Sequence, residues 1–166
     1  MDFVATPLCN ADASLNCSVE QLWRRYRQEH PDAPAEVPPS FHFCDNPEDA
    51  DICADLVVAG RKRATAASLA ELELTKTAVP RPGDYAVVTN WAREAKAVIR
   101  TTSVEVRRFA EVDEAFAAAE GEGDGTLNWW RIAHRAYYLR VLAGSPYSFS
   151  DDLEIACEHF EVLFTS

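Results

Sequence analysis

Apolar positions recur along the chain with spacings that predict its elements before any residue is given a role. Val19, Leu22, Trp23 and Tyr26 fall on one helical face, and Ser18 with Gln21 three residues on reads as a capping box at the start of that helix. The helix is expected to end near His30, ahead of Pro31. Residues 1–17 show no periodicity and read as an extension or loosely docked arm. Pro31, Pro34, Pro38 and Pro39 then make a semi-rigid connector whose far end is anchored by Phe41 and Phe43. A second helix carries the stripe Ile52, Cys53, Leu56 and Val57. Asn46 is its N-cap, Pro47 its first position, and Gly60 the residue just past its end, where a positive φ costs glycine little. Residues 66–74, rich in alanine, leucine and glutamate, predict a short helix.

Beyond Pro82 and Gly83 the period changes from helical to alternating. Residues 85–91 read as a strand, and 96–109 as one long or bulged β segment after a hairpin connection at Arg93 and Glu94. A helix is expected over 111–118, then a glycine-rich acidic loop over 120–125. Another helix, capped by Asp124 or Thr126, carries Trp129, Trp130, His134, Tyr137 and Tyr138. Residues 153–164 alternate again and read as a closing strand. The order suits an α+β domain, taken as residues 41–166, preceded by an extension, 1–40, of one helix and the proline-rich connector.

Composition narrows the function classes. At 166 residues and 48% hydrophobic the chain is long enough for one domain with a sizeable core. No apolar run approaches the roughly 18 residues that cross a bilayer, and no basic residue precedes Arg24, so neither a membrane partner nor a secretory start is expected. The five cysteines, at 9, 17, 44, 53 and 157, include no C-x-x-C pair, which points away from a disulfide framework or a zinc site and toward a reducing cytoplasm. A net charge of −11 argues against a protein that grips a DNA duplex or any long stretch of phosphate backbone. It leaves room for a small or single-nucleotide ligand in a locally basic cleft.

The richest candidate for chemistry is Gly60-Arg61-Lys62-Arg63-Ala64-Thr65, which puts an amine and a hydroxyl three residues apart on a turn after the second helix. The plain alternative is a solvated charge run at the negative end of a helix dipole. Arg100 reads either as a guanidinium aimed into a cleft or as a strand arginine on the wet face. His42 is a lone histidine, and the acidic loop is shorter than a calcium-binding loop and lacks its ligand pattern, so no metal is expected. Adjacent Trp129 and Trp130 cannot share one narrow helical stripe. Either one of them, taken here as Trp130, lines a cleft as a stacking surface, or both pack in the core.

Taken together, Gly60-x-Lys62-x-x-Thr65, Pro82-Gly83-Asp84, the run from Val98 to Thr102 and the segment from Ala119 to Asp124 resemble the bacterial ASCH-domain family. The likeness spans about residues 41–164, with the motifs in the right order. It implies a PUA-like β-barrel with a cleft, flanked by helices. It also implies either of two activities: removal of the acyl group from an N4-acylated cytidine-like nucleoside, or binding of short single-stranded RNA, with ribonuclease activity in some members. For the first activity the resemblance implies a catalytic set of Lys62, Thr65 and Glu122, with Glu120 as the other choice of glutamate. Arg61, Arg63, Arg100, Glu120 and Trp130 are then candidate substrate contacts, without metal or cofactor. A threonine hydroxyl needs a base to become a nucleophile. Lys62 supplies one only where desolvation or neighbouring cations lower its pKa.

Overall fold

The computed structural model describes residues 16–166, so most of the expected N-terminal arm, Cys9 included, lies outside the described residues. The elements are α1 (Asn16–Glu29), β1 (Ser40–Phe41), α2 (Pro47–Val58), β2 (Ala64–Ser68), α3 (Leu69–Leu74), β3 (Tyr85–Thr89), β4 (Ala95–Arg108), a 3-10 turn (Phe109–Glu111), α4 (Glu114–Glu120), α5 (Leu127–Val141) and β5 (Glu154–Thr165). Their strands form one sheet in the order β1-β3-β4-β5-β2. Only the β1 and β3 pair is parallel.

This sheet is open, and the expected β-barrel is not formed. The reason lies in how the strands share their partners. β4, with 14 residues, and β5, with 12, pair along almost their whole lengths. β3 covers only the 95–100 half of β4, and β2 only the 155–159 half of β5. The short strands therefore sit at opposite ends of the long ribbon, and β1, two residues long, extends the β3 side without reaching β2. Register shifts at Val98/Ile99 and Thr101/Ser103 bend the ribbon and increase its twist, which gives the sheet a concave face without closing it.

Helices cover both faces. On the concave side α2 packs Cys53, Ala54 and Val57 on Val88, Ala97, Ile99 and Phe160, while Leu72 of α3 meets Ala67 and Ala156. On the other side α1 lays Val19, Leu22, Trp23 and Tyr26 over Val87, Ala95 and Val98. Phe116, Trp130 and Tyr138 from α4 and α5 cover Ala64, Ala66, Ile155 and Cys157. Each buried large side chain contributes roughly 1.5–3 kcal/mol, so these patches hold the ribbon in its bent shape.

Two local readings are corrected. Ser18 does not cap α1, which begins at Asn16; its hydroxyl instead accepts from the Ala95 amide at 3.1 Å and ties the helix to β4. Residues 66–74 are not one helix, because the chain stays extended through Ser68 and only then turns into α3, with the Ser68 hydroxyl accepting from the Glu71 amide at 3.1 Å. Propensity loses here to pairing with β5. Every residue of β2 is buried, so a strand enclosed on both faces needs the small side chains that looked helical.

Candidate functional site

The end of α2 sets the site. The Gly60 amide bonds Val57 O at 2.9 Å and the Arg61 and Lys62 amides both bond Leu56 O, at 2.9 and 3.0 Å, with Gly60 at φ +71. This reverses the chain and sends Lys62 inward. The acidic loop is laced to the same turn: the Arg63 amide donates to Ala119 O at 2.8 Å, and Gly121, at φ +65, lies so near that a Cβ there would stand 2.4 Å from Arg61 O. Lys62 thus enters between the two glutamates that flank Gly121.

Its ammonium, 1% exposed, bonds Glu122 and stands 3.8 Å from Glu120 Oε1, above the Phe43 ring at 4.8 Å from its centroid. Glu120 is equally buried and accepts on Oε2 from the Trp130 indole at 2.7 Å, with His134 Nε2 at 3.0 Å from the same oxygen. The other ring nitrogen of His134 lies 3.0 Å from Trp130 O, an atom that can only accept. Both nitrogens therefore donate, which is the imidazolium form. Burial works against that charge, but Glu120 outweighs it and raises the His134 pKa. Burial likewise pushes the Lys62 ammonium down, and the carboxylates of Glu120 and Glu122 overcome it, holding Lys62 above its ordinary value. For Glu120 burial raises, while Lys62, His134 and Trp130 pull its carboxyl below the usual range.

Beside this cluster, between α2 and α5, opens a cavity of about 280 Å³ lined by Thr65, Glu120, Glu122, Trp129, His134 and Tyr137 among others. Trp129 lies against Gly123, where a Cβ would meet the indole at 2.1 Å. Four carboxylates reach the cavity wall, and each has a partner. Asp45 is held at a pKa of about 2 by the Arg140 guanidinium at 2.8 Å, Asp49 accepts from the Asn46 amide at 2.8 Å, and Glu120 and Glu122 share Lys62, with His134 on Glu120 as well.

The structure brings Lys62, Glu120 and Glu122 together and sets Thr65 on the same cavity wall, on strand β2 instead of the expected turn. The other candidates do not line the cavity. Arg61 and Arg63 are exposed, and the Arg63 Nε donates to Gly60 O at 2.8 Å. Arg100 forms an ion pair with Glu161 through Nε at 2.8 Å, on the side of the sheet facing α1. Trp130 is buried in the core, and its neighbour Trp129 meets the cavity. His134 and Tyr137 are lining residues that sequence reasoning placed on the helix without a role. Their spacing of four and seven from Trp130 was the available signal. Among the described residues no group of three His, Cys, Asp or Glu side chains is arranged to hold a metal ion, and no helix is long and apolar enough to cross a membrane.

A curved, mostly antiparallel sheet with a Gly-x-Lys-x-x-Thr turn locked to an acidic glycine loop defines a class of small α+β domains, and the sequence comparison gives that class its name. The ASCH domain matches residues 39–164, and the chain belongs to the ASCH-domain family. Two crystal structures are similar throughout. The ASCH domain from Lactobacillus crispatus JV V101 has 30% identity and a TM-score of 0.80 over 92% of this chain and 98% of that one. Protein EF3133 from Enterococcus faecalis V583 has 31% identity and a TM-score of 0.81 over 90% of each chain. No curated protein matches the sequence.

Proposed function

We propose that the cavity between α2 and α5 takes a single nucleobase and that the protein binds single-stranded RNA through it. One observation carries the reading: the cavity offers an indole, a phenol and carboxylate oxygens, while every cation at its wall is already paired. Such a lining suits a flat, donor-bearing ring, stacked on Trp129 and held at its edge by Glu122, and suits a phosphate poorly. Membership of the ASCH-domain family is consistent with a nucleic-acid or nucleoside ligand. The charge states favour recognition over proton transfer, because neither the Lys62 ammonium nor the His134 imidazolium has a lone pair with which to accept a proton.

The test is anisotropy of a labelled single-stranded RNA with wild type and Trp129→Ala. Loss of one stacked base should cost about 1–3 kcal/mol in affinity. Equal binding by the variant overturns the reading. A second reading, removal of the acyl group from an N4-acylated cytidine, is favoured by the placement of Thr65 on the same wall as Glu120 and Glu122. In it the Thr65 hydroxyl attacks the acyl carbon while Glu122 takes its proton and passes it to N4 as the C–N4 bond breaks and cytidine leaves; water then hydrolyses the acyl ester on Thr65, and Lys62 is the charge that holds Glu122 in place. Release of cytidine from N4-acetylcytidine by wild type, abolished in Thr65→Ala and partly kept in Thr65→Ser, would establish it. No release by wild type removes it.

A further inference from the structure

The concave face of the sheet holds a second cavity, of about 370 Å³, larger than the first, and Thr65 lines both. Register explains why they meet there. Thr65 pairs with Glu158 and Ala67 with Ala156 across β2 and β5, so alternation sends these four side chains to one face, under which the cavity opens. Its walls are apolar: Phe41, with Pro39, Pro80 and Leu72. Its floor is polar. Thr101 donates to Glu158 Oε1 at 2.5 Å, and burial pushes the Glu158 carboxyl up to about 7 against that hydrogen bond, so the group both donates and accepts near neutral pH.

We propose that this second cavity binds the next base of the RNA, so that the protein holds two successive bases, one in each cavity, with the connecting sugar and phosphate passing Thr65. The proposal rests on reading the first cavity as a base site. An aliphatic chain placed here would strip water from Glu158 and satisfy none of its bonding capacity beyond the one bond from Thr101, a cost of about 1–3 kcal/mol. A phosphate would face both Glu158 and Asp84. A heterocycle answers the floor with its edge and the walls with its faces. Lys76, on the rim, is placed to meet the phosphate outside.

Calorimetric titration of the mononucleotides CMP and AMP and the dinucleotides CpC and ApA into the full chain tests this. Ala78 is an exposed residue that lines the second cavity, so Ala78→Phe narrows it from the rim without disturbing the core. Glu158→Leu removes its polar floor, and thermal unfolding checks both variants. Dinucleotides should bind about tenfold or more tightly than mononucleotides, the scale of one stacked base. Both variants should lose that gain and keep mononucleotide affinity within about twofold of wild type, whereas Trp129→Ala should weaken both ligands. A dinucleotide that binds no better than its mononucleotide, or a gain that survives either variant, overturns the second cavity and leaves the first standing. Failure of mononucleotides and dinucleotides alike to bind overturns both.

Discussion

Replacing Lys62 with methionine separates a structural ion cluster from an incidental contact. Lys62 is 1% exposed, and its removal leaves Glu120, also 1% exposed, with a buried negative charge supported only by His134 and the Trp130 indole. Breaking a buried pair by deleting one partner typically costs about 3–5 kcal/mol, a large part of the roughly 5–15 kcal/mol that holds a domain folded. The effect has a pH signature. In wild type the Glu120 pKa is lowered in the folded state, so its contribution is present above the unfolded value and is lost as pH falls through the folded one. Without Lys62, burial dominates and raises that pKa, so stability is lost as pH rises above the unfolded value of about 4.3. Urea unfolding of wild type and Lys62→Met should therefore diverge more at pH 8 than at pH 5. Adding Glu122→Gln should recover part of the loss, because it removes the second carboxylate that Lys62 neutralises. A cost below about 1 kcal/mol that does not change with pH would refute the argument that two carboxylates outweigh desolvation at Lys62.

Three further outcomes follow from other parts of the structure. Gly121→Ala places a methyl 2.4 Å from Arg61 O at φ +65 and should lower stability by at least about 2 kcal/mol, beyond the roughly 1–2 kcal/mol of a left-handed backbone alone; Gly83→Ala, at φ +95 with nothing within 4 Å, should cost less in the same thermal unfolding series. Glu71, which accepts from Tyr137 at 2.5 Å and leaves Oε2 without a partner, has its pKa pushed up to about 7 by burial, so it weakens the fold as pH rises from about 4.3 to 7, by at most about 4 kcal/mol; Glu71→Gln should flatten that decline in unfolding measured from pH 5 to 8, and an unchanged slope would count against it. RNA affinity should depend weakly on salt, with a log–log slope shallower than about −2, because fewer than three phosphates at roughly −0.7 each find a cation; a slope steeper than about −4 would show a backbone-binding surface instead.

What can be read from the sequence here is what local chemistry decides. The Asn46 cap, Pro47 and Gly60 bound α2 as expected, because each acts through the conformation of one residue or through a bond to a near neighbour. The long β4 and the closing β5 show in their β-branched and partly alternating residues, although helices cover both faces of each over part of its length. Long-range choices are hidden in the same residues. Ala66 and Ala67 score as helical, and they are instead small strand residues packed between two layers. Whether the sheet closes depends on where β1 and β2 fall along a ribbon whose bend is set by register shifts, and no local pattern records that.

The site shows the same division, and it explains why Lys62 reads so differently in sequence and in space. In sequence it is the middle of a basic triplet whose neighbours would lower its pKa. In space Arg61 and Arg63 turn outward, and Lys62 is claimed by two glutamates about sixty positions away, which raise it. What decides between these environments is neither lysine nor glutamate but Gly121. Its missing side chain lets the acidic loop press against Arg61 O, and its left-handed backbone puts Glu120 and Glu122 on either side of the ammonium. A larger residue there would push the loop away from the turn, loosen Lys62 from both carboxylates and bring back the exposed basic surface that the triplet alone suggests.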